Sequence, residues 1–108
     1  MRTRLVLSAC LLVVTCLFTS AANAVTQYTI TDLGTLGGVW SEAYGMNEDA
    51  QVVGYSLTAT SAHGNAFLWE DGVMEGIAPG LDTQACDINN FGRIVGWAKE
   101  SGARHSYY

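Results

Sequence analysis

A chain of 108 residues with 12 glycines, one proline, three cysteines and a formal net charge of −5 has room for one small domain, which excludes a multidomain enzyme. Residues 1–24 carry 16 of the 53 hydrophobic side chains and no glycine, whereas residues 25–108 carry three basic against ten acidic side chains. Such an acidic surface disfavours nucleic acid and anionic membranes as partners.

Met1-Arg-Thr-Arg4 is a short basic start, Leu5 to Phe18 an almost unbroken apolar run, and Thr19-Ser-Ala-Ala-Asn-Ala24 a polar exit of small residues. That three-part pattern predicts a secretory signal peptide over 1–24, cleaved between Ala24 and Val25 after an Ala-x-Ala site. The apolar run of 14 residues falls short of the roughly 20 that span a bilayer, so no stable membrane anchor is expected after cleavage. Leu7-Ser-Ala-Cys10 has the residue types of a lipidation box, but too few apolar residues precede it, and Thr15 before Cys16 fits poorly. Cys86 is then the lone cysteine of the mature chain, expected to be a buried thiol, with an intermolecular bridge as the alternative. The protein is expected outside the cytoplasm, extracellular or periplasmic.

Along the mature chain, Ala43-Tyr-Gly-Met-Asn-Glu-Asp-Ala-Gln-Val-Val-Gly-Tyr-Ser56 aligns without a gap on Ala85-Cys-Asp-Ile-Asn-Asn-Phe-Gly-Arg-Ile-Val-Gly-Trp-Ala98, 42 residues later. The match continues more loosely, with Asp32-Leu-Gly34 on Gly76-Ile-Ala78 and Asn65-Ala-Phe-Leu68 on His105-Ser-Tyr-Tyr108. Val53 and Tyr55 alternate with Val52, Gly54 and Ser56, and Val95 and Trp97 with Ile94, Gly96 and Ala98, the period of strands. Upstream, Tyr44 and Met46 alternate with Ala43 and Gly45, and Cys86 and Ile88 with Ala85 and Asp87. Strands are predicted near 28–33, 42–47, 51–57 and 65–69, then 73–77, 84–89, 93–98 and 104–108, with 25–70 as the first repeat and 71–108 as the second. The fold class is therefore all-β: two four-stranded antiparallel repeats with the dimensions of β-propeller blades, or a small eight-stranded barrel or sandwich.

Asp32-Leu-Gly-Thr-Leu-Gly-Gly38, Ser41-x-Ala43, Gly45-Met-Asn47 through Gln51-Val-Val-Gly54, and Asn65-Ala-Phe-Leu-Trp69 with Asp71-Gly72 together resemble the HAF-type extracellular repeat of bacteria. Asn65 stands where that family has the His of its His-Ala-Phe tripeptide; the second copy keeps His105 but has Ser106-Tyr107 for Ala-Phe. The resemblance covers 28–108 and implies export and β-repeat architecture, in longer proteins with several repeats. It transfers no active site.

Chemistry is sparse in the pattern. The glycine-rich stretch 33–38 lacks the following helix and the lysine of a phosphate loop, and reads as a turn between strands. Asn47-Glu-Asp49 opens like a calcium loop, but Asn89-Asn-Phe91 in the second copy has no carboxylate, so no metal or cofactor is expected, and Asn47 and Asn89 read as turn formers. His63 and His105 as bases, with Ser41, Ser61 or Ser101 as nucleophiles, have no spacing that fixes them together, and no enzymatic activity is expected. The aromatic residues Trp40, Trp69, Trp97, Tyr28, Tyr44, Tyr55, Tyr107 and Tyr108 offer the best candidate binding surface, exposed rings beside carboxylates being suited to stacking on sugars or to protein contacts. Tyr55 and Trp97 take equivalent places and read as packing between sheets, whereas Trp40, in a loop, is the first candidate for ligand contact. The expected function is an exported, non-catalytic binding module for a surface or matrix, or alternatively a truncated part of a longer HAF-repeat protein with no function of its own. Its partner is unidentified, and ring closure by a homo-oligomer would cover the outer sheets.

Overall fold

The computed structural model describes residues 22–60 and 62–108. The leader reading falls mostly on residues 1–21, outside the described residues. By backbone contacts the chain divides into Met1–Ile30 and Thr31–Tyr108. In the first unit the described residues, 22–30, form no helix or strand. Among the described residues, all seven strands lie in the second unit, and no helix is long and apolar enough to cross a membrane.

Strands β1 (Gly37–Met46), β2 (Val52–Thr58), β3 (Gly64–Glu70) and β4 (Val73–Ile77) form an antiparallel sheet in chain order, and β5 (Asp82–Ile88), β6 (Ile94–Glu100) and β7 (Ala103–Tyr107) form a second. The protein is thus all-β, with two separate sheets of four and three strands that close neither a barrel nor a propeller. Four strands in each repeat were expected, and the one near 28–33 does not form. Its end is turned instead: the Asp32 carboxylate accepts the Gly34 N–H at 3.0 Å, and Gly34 takes a φ of 77°, which breaks an extended run. A second difference concerns 73–77. Read from the repeat as the head of the second copy, β4 is the fourth strand of the first sheet, because Asp71 and Gly72 both take positive φ and join Glu70 to Val73 in a two-residue hairpin turn.

Repetition extends to the backbone devices. The Asn47 side-chain oxygen accepts the N–H groups of Asp49 and Gln51 at 3.1 and 3.0 Å, and the Asn89 oxygen accepts those of Phe91 and Arg93 at 3.0 Å each. Each asparagine therefore holds its hairpin turn in the way its residue type predicts. Both first strands carry a register shift, between Ala43 and Gly45 in β1 and between Ala85 and Asp87 in β5, so Tyr44 and Cys86 are extra residues opposite no partner. A bulge reverses the alternation beyond it. Met46 therefore shares a face with Ala43, and Ile88 with Ala85, contrary to uninterrupted period-2 alternation. Cys86 is exposed, not the buried thiol expected, because the bulge turns it out of the ladder.

Close approach at the sheet centres requires glycine. A Cβ on Gly54 would lie 1.9 Å from the Glu42 carbonyl oxygen, and one on Gly96 would lie 2.0 Å from that of Gln84, which is overlap.

The two sheets meet along β5, which packs against β1, β2 and β3. Val53 and Ala66 of the first sheet meet Ala85 and Ile88 of the second, with Leu68, Ile77 and Ile94 packed around them. Polar bonds flank this core. Asn47 donates from Nδ2 to the Asn89 carbonyl at 3.1 Å, the Glu48 N–H donates to the Asn90 side-chain oxygen at 3.0 Å, and the Ala66 N–H donates to the Thr83 hydroxyl at 2.9 Å. The Asn65 amide, at the His position of the HAF tripeptide, donates to the Ala78 and Leu81 carbonyls at 3.3 and 3.1 Å. That asparagine ties β3 to the connection leading into the second sheet.

Candidate functional site

Trp40 lies within β1 rather than in the loop expected from the sequence, because β1 starts at Gly37, upstream of the aligned segment. It remains 42% exposed, so its indole is open to contact. Its inner side rests on Tyr55 of β2, ring centroids 5.3 Å apart and tilted by 39°. Tyr55 is fixed in turn: its hydroxyl accepts the Gly64 N–H at 2.9 Å, and a Cβ on Gly64 would overlap its ring. Only glycine at 64 lets the phenol reach the backbone. An indole backed by a locked ring presents area at little cost in side-chain entropy.

Polar groups stand beside that platform. Glu42 is opposite Tyr55 in the β1–β2 register, two residues from Trp40. The hydroxyl of Tyr44, the exposed bulge residue, donates to the Glu42 carboxylate. That hydrogen bond, with lesser contributions from burial and from the negative charge of Glu42, holds the Tyr44 phenol above its ordinary value of 10.0. The arrangement offers an aromatic face with a carboxylate acceptor and a phenol, a combination suited to stacking on a ring while bonding its hydroxyls. Tyr44 is among the aromatic candidates of the sequence, but its bond to Glu42 and its place beside Trp40 were missed, because a bulge that turns Tyr44 outward leaves no periodic trace.

The remaining candidates take structural or scattered places. The Ser41 hydroxyl donates to the Gly34 carbonyl at 2.7 Å, and Ser101 sits with Gly102 in the positive-φ turn joining β6 to β7. His105 lies exposed on β7 opposite Ala98, His63 lies in the β2–β3 connection, and Ser61 is outside the described residues. Trp97 is half-buried under the Arg104 guanidinium, 4.1 Å from the ring centroid, on the outer face of the second sheet and not between sheets. Among the described residues no group of three or more His, Cys, Asp or Glu side chains is gathered for a metal.

A mostly apolar cavity of about 380 Å³ opens away from this platform, between Ile77 and Leu81 on one side and Ile94, Ala98 and Tyr107 on the other. The space exists because small residues line it, Ala85, Gly96 and Ala98 among them. No family model matches the chain, nor does any curated protein or solved structure, so the resemblance to the HAF-type repeat rests on the sequence motifs alone.

Proposed function

We propose that the chain is an exported, non-catalytic β-repeat binding module with blade-like sheets, and that Trp40 is the centre of its contact surface. The leader pattern of residues 1–24 supports export, and the 42-residue repeat supports a blade-like organisation. The observation that carries the binding reading is an indole 42% exposed while backed by a ring that is itself held by the Gly64 N–H. Glu42 and Tyr44 supply polar contacts alongside, which favours a hydroxyl-rich ligand such as a surface or matrix polysaccharide. Binding of polysaccharides to the purified chain, followed by calorimetry for wild type and Trp40→Ala, tests this. Selective binding lost in Trp40→Ala supports the reading; binding unchanged by that substitution, or no binding to any polysaccharide, overturns it.

A second reading is that the chain is part of a longer array of such repeats and has no activity of its own. Val95 favours it, being 47% exposed at the position equivalent to the fully buried Val53. Reading the genome past codon 108 for further copies of the repeat separates the two.

A further inference from the structure

We propose that the chain associates head to tail with a second copy of itself, repeating between molecules the contact that its own two sheets make. The outer face of the second sheet in one copy docks on the β1 and β2 face of the first sheet in the next.

The internal interface has two unlike sides, and each has a repeat-equivalent left open at the far side of the pair. On one side are Val53, Ala66 and Leu68, with Ile77 of β4 beside them, and on the other Ala85, Ile88 and Ile94; β4 has no equivalent in the three-stranded second sheet, so Ile77 alone has no counterpart. By the repeat register, the counterparts of Val53, Ala66 and Leu68 are Val95 and Ser106 on the second sheet and Tyr108 just past the end of β7. All three are exposed. The counterparts of the second set are Ala43, Met46 and Val52 on the first sheet, of which Ala43 and Met46 are exposed and Val52 is already buried. Ile88 is 6% exposed inside the chain, whereas Met46 in the equivalent place is 68% exposed. An apolar methionine and valine in water, each matching a buried residue of an interface the molecule already makes, point to a partner of the same shape.

The polar contacts also have competent counterparts. Where Asn47 Nδ2 reaches the Asn89 carbonyl, Asn89 Nδ2 can reach the next copy's Asn47 carbonyl. In place of the Asn90 side-chain oxygen that accepts the Glu48 N–H, the next copy offers the Glu48 carboxylate to the Asn90 N–H. Thr83 accepts the Ala66 N–H while donating to the Ile77 carbonyl; Ser41 already donates to Gly34, which leaves its lone pairs for the Ser106 N–H. His105 holds the place of Asn65, with a ring N–H for the loop around Gly34.

Besides the missing partner for Ile77, a second position fits less well. Gly45 meets Asp87 across the internal interface, and a Cβ there would lie 2.8 Å from the Asp87 carboxylate and 3.1 Å from its Cα. Between molecules Asp87 takes the Gly45 place, so the copies must separate by a few tenths of an ångström there. Because the two surfaces differ, each copy uses both, and the assembly is a ring where the rotation closes and a filament where it does not.

Sedimentation of the full chain over a wide range of concentration tests this, with Val95→Lys and Met46→Lys each blocking one surface. Both sites are exposed in the single chain, and circular dichroism checks that each variant keeps its β signature. Wild type is expected to assemble with concentration, each variant alone to stay monomeric, and the two mixed to give a dimer and nothing larger. Asp87→Gly is expected to tighten assembly roughly tenfold. A wild type that is monomeric at every concentration, a single variant that still assembles, or a mixture that does not pair overturns the proposal. Neither blocked residue belongs to the Trp40 platform, so loss of assembly and loss of ligand binding are separable.

Discussion

The two sheets are built from the same hairpin and differ in what covers them. Turn asparagine, bulge and central glycine recur at a spacing of 42, with the same two N–H groups bonded to each asparagine oxygen, yet Val53 is sealed and Val95 is 47% exposed. Conversely, Ala85 is buried while its equivalent Ala43 is open. Backbone devices are thus set locally by residue type, whereas burial depends on which neighbour a sheet happens to have. A repeat cannot bury its faces alone, and the end faces of an array are where it meets something else.

The largest effects are expected where both sheets depend on the same device. Gly54→Ala and Gly96→Ala drive a methyl group into a backbone carbonyl, and each should cost more than about 4 kcal/mol, read as loss of the cooperative urea transition. A mild effect at either position would show that the strands can part without cost and would break the equivalence.

Next come the turn asparagines, where the comparison becomes unequal. Asn47→Ala leaves the Asp49 and Gln51 N–H groups and the Asn89 carbonyl short of a partner, and should cost about 2 kcal/mol. Asn89→Ala loses bonds within its own turn only, at an exposed position, and should cost about 1 kcal/mol by urea unfolding. A larger loss at Asn89 would mean that the bond between the turns contributes nothing.

Smaller still is the φ of the residue that closes each turn. Ala50 has a φ of 58° where the second copy has Gly92 at 75°. Ala50→Gly should therefore stabilise by about 0.5 kcal/mol and Gly92→Ala destabilise by about 1 kcal/mol, measured as opposite shifts in melting temperature. The smallest effect is electrostatic. Tyr44 ionises above 10.0 and the exposed Glu42 carboxylate is the main cause, so Glu42→Gln should lower the Tyr44 midpoint in an ultraviolet pH titration. The sign follows from the raised folded value: the Tyr44–Glu42 contact is fully present below pH 10.0 and is lost as pH rises through the Tyr44 midpoint.

Much of this was legible because repeats and turn residues are local signals. The Asn47 and Asn89 turns and the equivalence of 65–68 with 105–108 follow from residue type and spacing. What escaped is non-local or aperiodic. Similarity between 32–34 and 76–78 does not say which strand a segment pairs with; β4 is held by its two-residue turn to β3, and 28–33 has no such tether. A one-residue bulge leaves the composition of a strand unchanged while it turns Tyr44 and Cys86 outward. For the same reason Glu42 and Tyr44 were not read as neighbours of Trp40.

Paired urea unfolding of Val53→Ala and Val95→Ala, at a concentration where the chain is monomeric, addresses the central claim most directly. If one unit stands in two environments, Val53→Ala loses about 2 kcal/mol of buried packing and Val95→Ala changes stability by less than about 0.5 kcal/mol. Equal losses at the two positions would contradict it.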